Sequence, residues 1–299
     1  MALSDYDLDG DTDVYVANDG TMNFLYENQP GGFVEVGLYS GGRYNRDGLA
    51  EAGMGVDFGD VQNDGGQDRF VTNFTNETNT LYVNDGQGEL HDLTERFGLT
   101  GPSLKPLGFG TRFLDYDNDR FLDLFVANGH VMDIIAEVEP ELSYPQPNQV
   151  FRNLGGRGFS ETSARLGTGL EVVAVSRAAA AGDCDNDGDQ DLLVTNVSGP
   201  PTLLVNEGGN RNNWLLLELV GAGHRDALGA RVTVTAGGRR MLRERQSGAS
   251  YLSSHDPRLH FGLGRSEAAR VEIVWPGGRR QVLEEVPANR ILRVREGQG

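Results

Sequence analysis

Asp183-Cys184-Asp185-Asn186-Asp187-Gly188-Asp189-Gln190-Asp191-Leu192-Leu193-Val194-Thr195-Asn196 places five carboxylates at every second position of nine residues, then turns abruptly apolar. In water the five charges repel one another, so the loop needs a compensating partner. The same layout occurs at Asp5, Asp7, Asp9, Asp11 and Asp13, and again at Asp115, Asp117, Asp119 and Asp123. A weaker copy has Asp60, Asp64 and Asp68 with Gln62 at the third position. Counted from each first Asp, position 9 is always Asp, position 12 is Val16, Val71, Val126 or Val194, and position 14 is Asn18, Asn73, Asn128 or Asn196. The tail after each loop is short, β-branched and apolar, which predicts a buried strand.

Working outward, a second strand ends in Asn28, Asn84, Asn153 and Asn206 in the four copies. A glycine turn and a third strand follow, as at Gly31–Val36 and Gly88–Leu93, and a strand precedes the loop, as at Gly53–Gly59. The first Asp recurs at 5, 60, 115 and 183, the longer last interval holding an insertion, 131–147, that reads as a surface loop with room for a short helix. Four-stranded units at this period are blades of a β-propeller. Only Met1–Ser4 precede the first loop, too short for a full strand, and the fourth unit ends at Asn206. The expectation is therefore the C-terminal part of a longer propeller, rather than a four-bladed ring with irregular closure, because a truncated first blade leaves an unpaired edge.

Charge supports a division of the chain. The four loops hold 17 of the 44 acidic residues and explain much of the net charge of −18. Residues 1–210 carry 11 basic and 35 acidic side chains, whereas 211–299 carry 15 and 9. Two domains are expected, 1–210 and 211–299, meeting near Gly208–Asn210. The acidic part argues against nucleic acid as a partner. No run approaches the apolar length of a membrane span, so no membrane insertion is expected. Met1–Gly10 has neither a basic nor an apolar signal region, so no signal peptide is expected in this chain. The single cysteine, Cys184, excludes an intrachain disulfide. Carboxylate neighbours should raise its thiol pKa, and it reads as a small packed side chain.

Alternating carboxylates on a tight loop can aim their oxygens at one point, as a hard cation wanting six to eight oxygens requires. Positions 1, 3 and 5 supply side-chain oxygens, which are Asp5, Asp7 and Asp9; Asp60, Gln62 and Asp64; Asp115, Asp117 and Asp119; and Asp183, Asp185 and Asp187. Position 7 supplies a backbone carbonyl from Asp11, Gly66, Phe121 or Asp189, and position 9 closes with Asp13, Asp68, Asp123 or Asp191. Glycine at position 6 suits a turn with positive φ. An EF-hand shares the first half of this pattern but needs Glu at position 12 and flanking helices. Here position 12 is Val in a strand. Mg²⁺ prefers a stricter octahedron with retained waters, and Zn²⁺ prefers His and Cys. Up to four Ca²⁺ ions are expected. Gln62 should weaken the second site. Arg120, at position 6 of the third, strains the backbone and repels a cation.

With these motifs in hand, the repeats resemble FG-GAP/VCBS repeats, the blades of integrin-α-type propellers. Residues 213–297 resemble the ASPIC/UnbV domain of the cartilage acidic protein family, through Asn213-Trp214-Leu215, Gly229-Ala230-Arg231-Val232, Gly248–Ser253, Leu259–Gly264 and Val274–Gly278. The resemblance implies Ca²⁺ in the loops and an extracellular or periplasmic setting, with a signal peptide and further blades upstream of an N-terminally truncated chain.

The C-terminal part alternates short strands with glycine turns and reads as a compact all-β sandwich or barrel. Ser253-Ser254-His255-Asp256 is a row of triad residue types, but triads are gathered by folds rather than by sequence order, so the row reads as a loop held by its own hydrogen bonds. Arg239, Arg240, Arg243 and Arg245 read as a solvated or interdomain face, and Trp275 as packing. His91, His130 and His224 stand in separate loops. The expectation is a non-enzymatic, calcium-binding scaffold for a protein or glycan ligand. The alternative is an enzyme or accessory protein in a biosynthetic or polysaccharide-processing pathway.

Overall fold

The computed structural model describes residues 1–222 and 226–298. His224 lies outside the described residues.

The first blade is an antiparallel sheet of β1 (Ala2–Ser4), β2 (Asp13–Val16), β3 (Phe24–Gln29) and β4 (Gly32–Glu35). The second repeats it with β5 (Val56–Gly59), β6 (Asp68–Val71), β7 (Thr80–Asn84) and β8 (Leu90–Asp92). A short helix, α1 (Thr100–Ser103), leads to the third blade, β9 (Gly108–Leu114) and β10 (Asp123–Asn128). The insertion carries one helical turn, α2 (Ile135–Val138), and a short strand β11 (Gln146–Pro147), before β12 (Gln149–Asn153) and β13 (Phe159–Glu161) complete that blade. β11 pairs with β14 (Val173–Ala174), and the fourth blade has three strands, β15 (Ser176–Gly182), β16 (Asp191–Asn196) and β17 (Thr202–Leu204). Residues 2–4 do form an inner strand, paired Ala2 to Tyr15 and Ser4 to Asp13. The second blade's first strand, β5, is nearly as short, with four residues, so three serve in the first.

Blades pack face to face through three apolar layers. Tyr15 and Leu25 meet Val56, Phe58 and Val71; Phe70 and Leu81 meet Phe113 and Leu124; Phe125 and Val150 meet Ala179 and Val194. Period-two alternation assigns one side of each strand to each neighbour, so strands between two blades are buried on both faces. The arc is an incomplete propeller: the outward side chains Leu193 and Leu203 of the fourth blade are exposed. Cys184 is also exposed, contrary to the packed position expected. In the first two blades the equivalent residue, Tyr6 or Val61, is buried in the layer shared with the following blade. The fourth blade has no following blade among the described residues.

After a single turn, Gly209–Arg211, seven strands build the second unit: β18 (Asn213–Val220), β19 (Arg231–Ala236), β20 (Arg239–Glu244), β21 (Leu259–Gly264), β22 (Ala268–Val274), β23 (Arg280–Pro287) and β24 (Arg290–Arg295). They form two sheets, β21-β18-β24 and β20-β19-β22-β23, facing across one core that includes Leu215, Leu217, Val232, Val234, Phe261 and Ile273. The fold is a sandwich. Trp275 is buried in that core and donates its indole N–H to Gln281. The segment around 249–256 crosses the inner strands of three blades. It pairs Ser250 with Val56 of β5, takes the Thr111 N–H of β9 on Ser250 Oγ, and gives the Asp256 N–H to Ala181 of β15.

Candidate metal centres

Each acidic loop joins the inner strand of a blade to the next strand, and its fold is dictated by its own carboxylates. The position-1 Asp accepts the N–H of position 6 in every copy, as Asp5 does from Gly10, Asp60 from Gly65, Asp115 from Arg120 and Asp183 from Gly188. The position-9 Asp uses one oxygen for the N–H of position 2 and the other for the N–H of the strand-ending Asn. Asp123 thus holds Tyr116 and Asn153 at 3.2 and 2.7 Å, and Asp191 holds Cys184 and Asn206 at 3.0 and 2.9 Å. Position-5 carboxylates accept the N–H of position 7 in all four loops.

Position 6 has positive φ throughout, at 111° for Gly10, 98° for Gly65, 86° for Arg120 and 99° for Gly188. Position 4 is left-handed too, at 64° for Leu8 and between 55° and 64° for Asn63, Asn118 and Asn186. Asn tolerates this conformation and Leu does not. Leu8→Asn should therefore stabilise the protein by about 1 kcal/mol, read as a rise in Tm of roughly 2–4 °C.

In three loops the carboxylates of positions 1, 3 and 9 converge, with one oxygen from each lying within 4.8 Å of the others: Asp5, Asp7 and Asp13; Asp115, Asp117 and Asp123; Asp183, Asp185 and Asp191. Position 5, expected as a ligand, stands outside these triples. Asp60, Asp64 and Asp68 form no such triple, and Gln62 stands at position 3 there. An exposed group of Asp85, Glu89 and His91 also comes together, which the loop pattern does not announce.

Burial dominates the electrostatics. It pushes the carboxyls of Asp5 and Asp60 up to about 6 and those of Asp13 and Asp189 up to about 7, and drives Asp68, Asp115 and Asp123 well above the usual carboxylate range. Neighbouring loop carboxylates add to it. A hydrogen bond to Asp191 pushes the Cys184 thiol up to about 11, so it is no nucleophile at neutral pH.

The donor set fits a hard cation. It is all oxygen and over-supplied with negative charge, and Asp5 Oδ1 is buried without any hydrogen-bond partner. The loops differ in what already neutralises them. Arg231 pairs with Asp5 at 2.6 Å in the first loop, and Arg152 pairs with Asp117 at 2.9 Å in the third. In the fourth, Arg258 bonds the Asp183 carbonyl at 2.7 Å and the Asn186 side chain at 2.6 Å, leaving the converging carboxylates without a cationic partner among the described residues.

The second unit grips the loops in a way the sequence pattern did not specify. Ser4 Oγ and the Asp5 N–H donate to Glu244; Gly264 donates to Asn118; the His260 ring meets the Gly188 carbonyl at 3.2 Å. Trp214 packs so tightly on Gly188 that a Cβ there would overlap its indole. Ser253 and Ser254 donate to the Tyr251 and Ser247 carbonyls, Asp256 pairs with Arg258, and His255 Nδ1 accepts the Ala181 N–H, so the row forms no Ser–His–Asp relay. Among the described residues no helix is long and apolar enough to cross a membrane.

Residues 5–71 and 60–126 match the FG-GAP-like repeat model, and residues 221–299 match the ASPIC and UnbV model. Cartilage acidic protein 1 of Xenopus tropicalis is 28% identical over 284 residues, covering 90% of this chain and 40% of that protein. The Homo sapiens protein of that name is 27% identical over 283 residues, covering 90% of this chain and 39% of its own length. The chain thus spans about two fifths of these relatives. A solved lectin of Agrocybe aegerita, described as recognising non-reducing terminal N-acetylglucosamine, is 14% identical with a TM-score of 0.32, covering 69% of this chain and 66% of that one. So low an overlap bears on neither fold nor ligand.

Proposed function

Because the chain carries FG-GAP-like repeats followed by an ASPIC and UnbV domain, we propose that it is a calcium-stiffened scaffold of the extracellular type, working by binding a protein or glycan ligand rather than by catalysis. The observation that carries this reading is the repeated convergence of the position-1, -3 and -9 carboxylates at the same corner of three blades. Calcium supplies charge neutralisation there and no reaction chemistry. Asp183, Asp185 and Asp191 would hold it most tightly, followed by Asp5, Asp7 and Asp13, whose Asp5 already pairs with Arg231. The third loop, paired with Arg152 and carrying Arg120 at its turn, ranks below them, and the second, with Gln62, ranks last. Exposed Phe33, Leu38 and Tyr39 in the first blade offer apolar surface for a partner.

The test is a pair of melting curves on Asp183→Ala. In excess Ca²⁺ the variant should melt several degrees below the parent, since a ligand at a hundredfold excess over its Kd stabilises by about 2.7 kcal/mol. In EDTA the gap should shrink or reverse, because the substitution also removes a buried charge. Equal losses in both buffers would reduce Asp183 to a loop-forming residue and count against calcium.

A further inference from the structure

Between the inner ends of the blades and the second unit lies a cavity of about 50 Å³ lined by Arg112, Arg243, His255 and His260. That volume is on the order of three or four times the space one buried water needs. Arg112 and Arg243 contribute cationic groups from opposite sides, one from β9 of a blade and the other from β20 of the sandwich. Four buried nitrogens on these residues lack any partner among the described residues: Arg112 Nε, Arg243 Nη2, His255 Nε2 and His260 Nδ1.

The hydrogen bonds identify the ring tautomers. His255 Nδ1 accepts the Ala181 N–H, so in the neutral ring its Nε2 carries the proton and is a donor. His260 Nε2 faces the Gly188 carbonyl and must donate to it, which leaves Nδ1 as an acceptor. Burial keeps both rings neutral, with His260 pushed down to about 4. The cavity therefore presents two guanidinium donors, one imidazole donor and one acceptor.

The carboxylates nearby are already engaged. Asp57 is the partner of Arg112, at 3.3 Å. Asp256 pairs with Arg258, and Glu244 accepts from Ser4 Oγ and the Asp5 N–H. Asp60 and Asp115 act on Arg243 electrostatically, but their oxygens accept loop N–H groups and none bonds to it. Arg243 thus carries a half-buried charge whose Nη1 donates to the Leu242 carbonyl and whose buried Nη2 is unmatched among the described residues. A buried guanidinium nitrogen without an acceptor costs more than a neutral one, and an oxyanion satisfies several such donors at once.

We propose that this cavity binds one small tetrahedral inorganic oxyanion, of the sulfate or phosphate class, which locks the sandwich against the blades. The anion's oxygens accept from Arg112, Arg243 and His255, and a protonated form such as hydrogenphosphate also donates to His260. The site abuts the acidic loops, through His260 on the Gly188 carbonyl and the charges of Asp60 and Asp115 near Arg243, and joins the two units directly.

The experiment uses the full chain in calcium-free buffer. Inorganic sulfate, and separately inorganic phosphate, is titrated calorimetrically, and melting curves are taken against chloride at matched ionic strength. The expected result is one site per chain and a higher Tm in the oxyanion than in chloride. Binding should weaken at least about tenfold in Arg243→Gln. It should be unchanged in Arg240→Gln, whose side chain is exposed outside the cavity. Preference for phosphate over sulfate would assign the acceptor role of His260 to a protonated oxyanion. Equal melting in oxyanion and chloride, or unchanged affinity in Arg243→Gln, overturns the proposal in favour of a water-filled cavity. If Arg243→Gln does not fold, the parent titration decides alone, and the absence of saturable 1:1 heat overturns it.

Discussion

In EDTA the protein should melt at a higher temperature near pH 5 than near pH 7.5, and saturating Ca²⁺ should remove most of that fall. A carboxyl whose folded-state pKa lies above its unfolded value binds its proton more tightly when folded. The stability it contributes is complete below about pH 4 and is lost as pH rises through the folded value. The loss passes through about 6 for Asp5 and Asp60 and about 7 for Asp13 and Asp189, and Asp68, Asp115 and Asp123, which burial raises well above the usual range, add to it. Asp5 and Asp13 are almost fully inaccessible. Each unit of such a shift is worth about 1.4 kcal/mol at full burial. Several loops together should therefore lose on the order of 5 kcal/mol, or roughly 10 °C of Tm. Calcium stabilises the charged form of the loops and so flattens most of the slope. A smaller slope should persist in calcium, because Glu51 lies outside the loops and burial pushes it up to about 7. A flat or rising EDTA profile would mean that the loops relax to solvate their carboxylates.

The second large effect concerns the asparagine at or near the end of each blade's third strand, Asn28, Asn84, Asn153 and Asn206. Asn153→Ala should destabilise the protein by about 3 kcal/mol, whereas Asn28→Ala should lie within about 0.5 kcal/mol of the parent. Asn153 Nδ2 donates to the Val61 carbonyl of the preceding blade at 2.9 Å and to Leu122 at 2.8 Å, while its Oδ1 accepts the Gly156 N–H at 2.7 Å. Asn84 bonds the Tyr6 carbonyl and Asn206 the Tyr116 carbonyl in the same way, each at 2.7 Å. The residue is a latch between neighbouring blades, tying the position-2 carbonyl of one acidic loop to the next sheet. Removing it strands buried carbonyls in an apolar layer. Asn28 holds the same place in the first blade, but its side-chain amide bonds no such carbonyl among the described residues, so the pair isolates the latch from the residue type. Urea melts with unchanged m-values would measure both. Equal losses would assign the asparagines to local turn geometry instead.

The blades were legible because period-two strands and the D-x-D-x-D-G loop recur together, and the position-9 Asp, position-12 Val and position-14 Asn each keep a fixed structural job. The sandwich strands were legible for the same reason: Val232, Val234 and Ala236 point inward while Arg231, Thr233 and Thr235 do not. What did not follow from the sequence depends on contacts distant along the chain. Cys184 looks like its equivalents Tyr6 and Val61, and only the fold shows that no following blade covers it among the described residues. Position 4 gives a local signal in hindsight, since Asn stands there in the second, third and fourth loops and Leu8 in the first, yet its left-handed backbone is set by the position-1 carboxylate drawing in later N–H groups. Arg243 belongs to a run of arginines that reads as a solvated or interdomain face, and only docking of the sandwich onto the blades gives it the interdomain role. Arg152 and Arg231, distant in sequence from the carboxylates they neutralise, separate loops that look alike on paper.

The most direct test of the central claim is a calorimetric titration of the EDTA-stripped protein with Ca²⁺, with Mg²⁺ as the control. The account predicts several Ca²⁺-selective sites, with the tightest lost in Asp183→Ala and the next in Asp13→Ala. No saturable Ca²⁺ heat in protein shown to be folded would contradict it, and would leave the carboxylates as scaffolding for the loops alone.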